Sequence, residues 1–251
     1  MIEENIKKKI VLALDVETIE EAKKLVDELS FYTGTFKVGL QLFMRYGLEI
    51  IKYILSKNSN FFLDVKLHDI PNTVKKASEN IVLNGANFFN VHASGGIEMM
   101  KAAREGADYA AQKLNKKPPV ILGVTILTSI SQDIIKNEFE IDKDVSDFAI
   151  RLAYLARKAG LDGVVASPVE VERIKKELGQ DFKVLCPGIR PVWSLKDDQK
   201  RTATPSNTLK RGADYIVLGR AVTKAKNKIE AMKKIYEEIR EISEEKICQQ
   251  H

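Results

Sequence analysis

The sequence predicts an α/β fold of the (β/α)8 TIM barrel type, folded as a single domain over residues 1–251. Eight short apolar runs alternate with longer amphipathic patterns from one end of the chain to the other. A length of 251 residues suits one barrel with a short polar N-terminal lead and a polar C-terminal tail. No G-x-G-x-x-G pattern follows the first apolar run, which disfavours an open dinucleotide-binding sheet.

Each element is predicted from its local pattern. The β-prone runs predict eight strands, at Ile10–Leu14, Thr35–Gly39, Phe61–Lys66, Phe88–His92, Val120–Thr125, Gly163–Ala166, Lys183–Cys186 and Tyr215–Leu218. The amphipathic runs predict helices at Ile19–Leu29, Leu42–Ser56, Thr73–Asn84, Gly96–Leu114, Val145–Ala159, Val169–Leu178, Thr208–Arg211 and Lys224–Glu244.

Several helix ends carry their own signals. Thr18 is a candidate N-cap, since its hydroxyl can accept from exposed amides, and Glu21 completes a capping-box pattern. Gly85, Gly160 and Gly212 follow helices where a left-handed C-cap is expected. These signals support the order of the predicted elements.

The composition narrows the class of protein. Hydrophobic residues make up 44% of the chain and charged residues 30%, as in a globular protein. The net charge of +5 comes from 40 basic residues scattered among 35 acidic ones, which argues against nucleic-acid binding. The Lys7-Lys8-Lys9 run is interpreted as a solubilising end before the first strand.

The sequence also indicates a compartment. Cys186 and Cys248 lie far apart, so we expect no disulfide and a reducing environment. The first residues are too polar for a signal peptide, and no apolar run approaches the ~20 residues of a membrane span. We therefore expect a cytoplasmic protein with no membrane contact. Only three histidines are present, so we expect no histidine-rich metal site.

The most informative segment is Asp64-Val65-Lys66-Leu67-His68-Asp69, at the end of the third predicted strand. Asp64 and Lys66 point the same way because side chains alternate along a strand, and Asp69 lies just beyond. An internal ion pair that closes one end of a barrel is the structural alternative. Two carboxylates around one lysine favour catalysis instead.

Other polar residues end neighbouring strands. In a barrel of this type the active site forms at the carboxyl ends of the strands, so Asp15, Lys37, Asp64 and Lys66 are expected to converge. Each has an alternative role: Asp15 as a turn cap, and Lys37 as a lysine reaching solvent. We interpret His92 as a hydrogen-bonded strand-end residue. Thr128 is a candidate site residue, and the alternative is that its hydroxyl is an ordinary loop hydroxyl.

A phosphate site is predicted after the last strand. Gly219 permits close backbone approach, the following helix offers free N–H groups, and Arg220 adds a forked cation. Arg190 and Gln199, in the long segment Pro187–Ser206, are candidates to complete it. Long loops in compact domains are often lids or binding loops.

Together these motifs resemble the orotidine 5'-phosphate decarboxylase family, of the bacterial type, over roughly residues 10 to 240. The residues that carry the resemblance are Leu14-Asp15, Phe36-Lys37-Val38-Gly39, Asp64 to Thr73, Val91-His92-Ala93, Thr125 to Ser129, Pro187-Gly188-Ile189-Arg190 and Gly219-Arg220. The Asp-x-Lys-x-x-Asp pattern alone is shared with a wider suprafamily of phosphate-binding barrels.

The resemblance implies an enzyme that converts orotidine 5'-monophosphate to UMP and CO2, the last step of de novo pyrimidine synthesis, without metal or organic cofactor. It implies Lys66 as the proton donor to C6, with Asp64 between Lys37 and Lys66 in an alternating charge array. It further implies a homodimer, with Asp69 and Thr73 contributed across the interface.

The resemblance also assigns the substrate contacts. Asp15 and Lys37 would hold ribose hydroxyls, and Thr128 would contact the pyrimidine. The phosphate region would be bound by Arg190, Gln199, Gly219 and Arg220.

The chemistry agrees with these roles. Loss of CO2 leaves an unstabilised carbanion at C6, which a preplaced ammonium can stabilise and then protonate. Flanking carboxylates favour the charged form of that lysine. Two rivals remain: a Mg2+-assisted aldolase or decarboxylase of the same suprafamily acting on a sugar phosphate, and a barrel that only binds nucleotides or phosphate.

Overall fold

The computed structural model describes residues 2–194 and 203–248. Within these ranges the strands are β1 (Ile10–Ala13), β2 (Thr35–Gly39), β3 (Asn60–Leu67), β4 (Phe88–His92), β5 (Val120–Val124), β6 (Gly163–Val165), β7 (Lys183–Cys186) and β8 (Tyr215–Leu218). They form a closed parallel barrel in the order β1 to β8. The predicted (β/α)8 fold class is confirmed.

Helices alternate with the strands along the chain. In the described ranges they are α1 (Ile2–Lys9), α2 (Ile19–Leu29), α3 (Leu40–Tyr46), α4 (Leu48–Ser56), α5 (Pro71–Leu83), α6 (Gly96–Lys113), α7 (Gln132–Asn137), α8 (Val145–Lys158), α9 (Val171–Leu178), α10 (Pro205–Lys210), α11 (Arg220–Thr223) and α12 (Lys228–Cys248). Short 3-10 turns lie at Ala93–Gly95 and Val192–Ser194.

The chain divides into two compact units. The first contains the described residues up to Phe61 and from Cys186 onward, and the second is Phe62–Leu185. A single domain therefore stays a prediction. Each unit is described below by itself.

In the first unit, β1 pairs in parallel with β2 and with β8, and Leu12 aligns with both Phe36 and Leu218. All four residues of β1 are buried, as expected for a parallel strand covered on both faces. The Tyr236 hydroxyl on α12 donates to the Tyr32 carbonyl at 2.8 Å. This contact ties the last helix to the turn before β2.

In the second unit, β3 to β7 pair in parallel in sequence order. Helices α5 and α6 approach closely at Gly106, where an added Cβ would lie 2.2 Å from the Lys75 carbonyl oxygen. Asp162 accepts from Arg104 at 2.9 Å and from the Ile121 main chain at 2.7 Å, and so fixes the start of β5.

Two helix predictions were wrong. The single helix predicted over Leu42–Ser56 is two helices, α3 and α4, because Gly47 between them adopts the non-helical angles φ +49° and ψ −124°. The helix predicted over Lys224–Glu244 begins only at Lys228, and the separate short α11 precedes it.

Two further helices, α1 and α7, were not predicted. The Lys7-Lys8-Lys9 run is the last turn of α1, whose first turn carries Glu3 and Glu4. This charge order complements the helix dipole, and Ile6 is buried beneath it. In α7 the Ser131 hydroxyl accepts from the Ile134 N–H at 3.4 Å, which caps the helix.

The predicted end signals are confirmed where the structure tests them. Thr18 caps α2, with its hydroxyl accepting from the Glu21 N–H at 3.2 Å. Gly85, Gly160 and Gly212 all have positive φ after their helices. Cys186 is buried and not in a disulfide, while the Cys248 side chain lies outside the described part.

Candidate active site

Asp64 and Lys66 form a tight ion pair near the carboxyl end of β3, in the second unit. The Lys66 Nζ lies 2.6 Å from Asp64 Oδ1, with the carboxylate 13% and the lysine 27% exposed. The same carboxylate oxygen accepts from Asn90 Nδ2 on β4 at 2.7 Å. Partial burial with two donors makes this carboxylate a fixed counter-ion for the ammonium.

The main chain at Lys66 is strained. Lys66 has φ +51°, a left-handed conformation that costs a non-glycine residue roughly 1–2 kcal/mol. Its N–H donates to Asn90 Oδ1 at 2.8 Å instead of entering a regular ladder. The register between β3 and β4 shifts at this place, between Leu63 and Leu67. Strain of this kind concentrates at functional sites.

Asn90 was missed as a site residue by the sequence analysis. It is fully buried and is the polar residue in the centre of the strand Phe88-Phe89-Asn90-Val91-His92. A buried amide in an otherwise apolar strand needs hydrogen-bond partners, and that requirement was the available signal.

His92 ends β4 and is half-buried, with its ring centroid 5.4 Å from that of His68. Burial, followed by the nearby His68 and the Lys66 ammonium, holds the pKa of His92 below its usual value. The neutral imidazole is therefore favoured near pH 7. Its predicted role as a hydrogen-bonded strand-end residue stays a prediction.

Asp69 and Thr73 follow the end of β3, beyond the Asp64–Lys66 pair in the sequence. Asp69 is exposed, and its Oδ1 accepts from the Ile70 N–H at 2.6 Å. Pro71 begins α5, and Thr73 is exposed in the first turn of that helix. Ile70 between them is 67% exposed, which is unusual for a large apolar side chain.

Thr125 and Thr128, which follow β5, differ in burial. Thr125 is buried, and its Oγ1 donates to the Val165 carbonyl at 3.0 Å, which joins β5 to β6. Thr128 is exposed in the turn that follows. Its hydroxyl is therefore accessible to a small molecule.

Asp15 and Lys37 form the second ion pair, in the first unit. Lys37 Nζ lies 3.0 Å from Asp15 Oδ1, with the lysine 11% and the carboxylate 59% exposed. Gly39 ends β2 beside them. A Cβ at that position would lie 3.2 Å from the Lys37 Nζ and 3.4 Å from Asp15 Oδ1, so the glycine leaves room for the pair.

The candidate phosphate residues of the first unit are accessible. Gly219 separates β8 from α11, and a Cβ added there would meet nothing within 4 Å. Arg220 is exposed as the first residue of α11. Arg190 is also exposed, and its main-chain N–H donates to the Ala203 carbonyl at 3.1 Å. Gln199 lies outside the described residues.

Two features are absent from the described residues. No group of three or more His, Cys, Asp or Glu side chains is arranged to hold a metal ion. No helix among these residues combines the length and apolarity that crossing a membrane would need.

Known proteins match this chain along most of its length. A family model described as Orotidine 5'-phosphate decarboxylase / HUMPS matches residues 8–235. The orotidine 5'-phosphate decarboxylase of Syntrophomonas wolfei is 45% identical over 234 residues, covering 93% of this chain and 98% of the relative. That of Moorella thermoacetica is 43% identical over 239 residues, covering 95% of each.

Solved structures agree with the sequence matches. The crystal structure of orotidine 5'-phosphate decarboxylase from Lactobacillus acidophilus has a TM-score of 0.81 and 34% identity, covering 92% of this chain and 98% of that one. The enzyme of the same name from Pyrococcus horikoshii has a TM-score of 0.73 and 28% identity. The chain therefore belongs to the orotidine 5'-phosphate decarboxylase / HUMPS family.

Proposed function

We propose that this chain is an orotidine 5'-phosphate decarboxylase, a carboxy-lyase that converts orotidine 5'-monophosphate to UMP and CO2 in pyrimidine biosynthesis. Relatives of that name cover more than nine-tenths of the chain. The observation that carries the proposal is the Asp64–Lys66 ion pair at the carboxyl end of β3, where barrel enzymes place their chemistry. A cytoplasmic location is part of the proposal, since nucleotide synthesis draws on metabolites of that compartment.

Lys66 acts as the proton donor. The bond from C6 to the carboxylate breaks, CO2 leaves, and the electron pair stays on C6. The Lys66 ammonium stabilises that charge and then transfers a proton to it, and water reprotonates the amine. The proposed reaction requires only the substrate, the Lys66 ammonium and water, with no metal or organic cofactor.

Asp64 supports this step in two ways. Its carboxylate fixes the ammonium at 2.6 Å. A carboxylate placed beside the substrate carboxylate also favours departure of CO2.

Asp15 and Lys37 bind the ribose hydroxyls, and Thr128 contacts the pyrimidine. The exposed Asp15 carboxylate and the exposed Thr128 support these assignments. Arg190, Gln199, Gly219 and Arg220 bind the phosphate, with support from the open space beside Gly219. Binding energy from this remote group can contribute to turnover at C6.

The enzyme acts as a homodimer in which Asp69 and Thr73 enter the site of the partner subunit. Exposure of both residues, with the apolar Ile70 between them, supports this. Mixing Asp69→Ala protein with Lys66→Ala protein should restore activity, because one of the two sites in a mixed dimer keeps every required residue. Proven subunit exchange without restored activity would contradict the shared site.

The deciding experiment follows absorbance as orotidine 5'-monophosphate is converted to UMP, with and without EDTA. We expect fast conversion that EDTA does not affect. Lys66→Ala protein purified in parallel controls for a contaminating decarboxylase. No conversion by folded protein would overturn the proposal, and activity on a sugar phosphate that requires Mg2+ would establish the aldolase-type rival.

A further inference from the structure

Asn90 occupies an unusual place for an amide. It is fully buried in the centre of β4, between the apolar residues Phe89 and Val91. Its Nδ2 donates to Asp64 Oδ1 at 2.7 Å, and its Oδ1 accepts from the Lys66 N–H at 2.8 Å. Both ends of the amide are therefore engaged by the two residues of the β3 ion pair.

The contact with Lys66 takes the place of a regular ladder hydrogen bond. Leu63 aligns with Phe89 and Leu67 with Val91, so three residues of β3 stand opposite Asn90 alone. The additional residues form a bulge, and Lys66 adopts φ +51° within it. Lysine does not favour that backbone conformation by itself, so a contact from the neighbouring strand has to hold it.

The contact with Asp64 orients the counter-ion. Asp64 Oδ1 accepts hydrogen bonds from both Asn90 Nδ2 and Lys66 Nζ. Two donors on one oxygen restrict rotation of the carboxylate, and the carboxylate in turn locates the ammonium. Asn90 thus restrains Lys66 at its main chain directly and at its ammonium through Asp64.

We propose that Asn90 is a positioning residue for the decarboxylation, holding the Lys66 ammonium at the place from which it protonates the substrate. The inference rests on the proposed function, because it gives Asn90 a part in that reaction. Displacement of a reacting group by about 1 Å can lower a rate ~100-fold. A residue with only a structural role would lower the melting temperature without this selective loss of kcat.

Two substitutions test different parts of the contact. Asn90→Ala removes the donor and the acceptor together. Asn90→Asp keeps the size and the acceptor, but its carboxylate cannot donate to Asp64 and repels it. When protonated, that carboxyl group regains a donor, so the pair behaves as a carboxylate dyad that shares one proton.

Several titratable groups of the second unit lie close to position 90 in the structure. Asp64 and Lys66 contact Asn90 from β3, and His92, whose ring faces that of His68, follows two residues later in β4. On β5 the residue aligned with Asn90 is the apolar Leu122. An acid-side recovery in Asn90→Asp that wild type lacks therefore reports the introduced carboxyl group, since the histidines are common to both proteins.

The experiment measures kcat, KM, UMP affinity and melting temperature for wild type and both variants, with kcat across pH 5.5–8.5. For Asn90→Ala we expect kcat to fall about 100- to 1,000-fold, with KM and UMP affinity within about threefold of wild type. For Asn90→Asp we expect a large loss at pH 8 that partly recovers on acidification. Asn60→Ala is the matched control, since it removes a side-chain contact with the Gly34 carbonyl at the start of β3.

The outcomes separate the inference from the function. Wild type without decarboxylase activity would overturn the proposed function itself. If wild type is active and the kcat of Asn90→Ala is within threefold of wild type, the inference is overturned. It is also overturned if Asn60→Ala loses as much kcat per degree of lowered melting temperature as Asn90→Ala does. If Asn90→Ala fails to fold, Asn90→Asp decides: a wild-type pH profile overturns the inference.

Discussion

The two lysine–aspartate pairs of the candidate site differ in which partner is more exposed to solvent. In the Asp15–Lys37 pair the lysine is buried and the carboxylate exposed, whereas in the Asp64–Lys66 pair the carboxylate is the more buried partner. An exposed carboxylate can accept hydrogen bonds from neutral hydroxyls, and a partly exposed ammonium can give a proton. The same two residue types are thus suited to binding in one unit and to proton transfer in the other.

The main chain differs between the pairs as well. Lys37 lies in the regular part of β2, aligned with Ala13 of β1. Lys66 lies in a bulge with left-handed φ, held by a buried side chain. A binding group tolerates the freedom of a long side chain on a regular strand, but a proton donor requires tighter placement.

Lys66→Ala should have the largest effect. It removes the proposed proton donor and the charge proposed to stabilise the carbanion, so we expect kcat to fall by at least about 1,000-fold. UMP affinity should stay within about tenfold, because the proposed phosphate contacts come from other residues. Lys101→Ala, which removes an exposed ion pair with Glu98, is the control. Near-normal turnover in Lys66→Ala protein would remove Lys66 from its proposed role.

Asp15→Asn should act mainly on binding. A hydrogen bond to a charged group contributes about 1.5–3 kcal/mol, which corresponds to a fall in kcat/KM of about 10- to 150-fold. We expect this fall to come largely from KM, unlike that of Lys66→Ala. Asp27→Asn, at an exposed ion pair with Lys57 in the same unit, is the control. A fall confined to kcat would mean that the two pairs do not divide binding from chemistry.

Gly39→Ala is a gentler test of the Asp15–Lys37 pair. Gly39 has φ −87° and ψ 175°, which alanine adopts freely, so the melting temperature should hold. The new methyl group would crowd the Lys37 Nζ, whose flexible end can shift. We expect KM to rise about three- to tenfold, measured with orotidine 5'-monophosphate. An unchanged KM would show that the Asp15–Lys37 pair can shift to accommodate the methyl group without weakening substrate binding.

His92→Gln should have the smallest effect and concerns the Asp64–Lys66 pair. The pKa of His92 is lowered in the folded state, so the unfolded chain binds more protons below about pH 6.5. The contribution of neutral His92 to the free energy of unfolding is complete above that pH. It is lost as the pH falls through the pKa of His92 in the folded state. Between pH 7.5 and 5, wild type should therefore lose more unfolding free energy than the variant. Equal losses in urea titrations would contradict this.

Strand positions could be read from the sequence because each strand is a short apolar run. Thr35–Gly39, Phe88–His92, Lys183–Cys186 and Tyr215–Leu218 match their predicted bounds. Helix interruptions could not be read in the same way. The apolar periodicity continues through Gly47, and only its backbone conformation separates α3 from α4.

The candidate site was predictable to the extent that its residues carry charge. Asp15, Lys37, Asp64 and Lys66 stand out locally, and the structure pairs them as Asp15 with Lys37 and Asp64 with Lys66. Asn90 did not stand out because its importance depends on a register shift between β3 and β4. Such a shift is a property of two strands together, which no local pattern contains.

The left-handed backbone at Lys66 has a consequence for how this enzyme can evolve. Four non-glycine residues in the described ranges have positive φ, and two of them are asparagines, Asn58 and Asn115. Glycine and asparagine suit this conformation, but neither carries an ammonium group. Selection for abundance alone would favour replacing Lys66, while selection for growth without external pyrimidine would oppose it. A mutational scan scored both ways should show the two rankings diverge most sharply at this position.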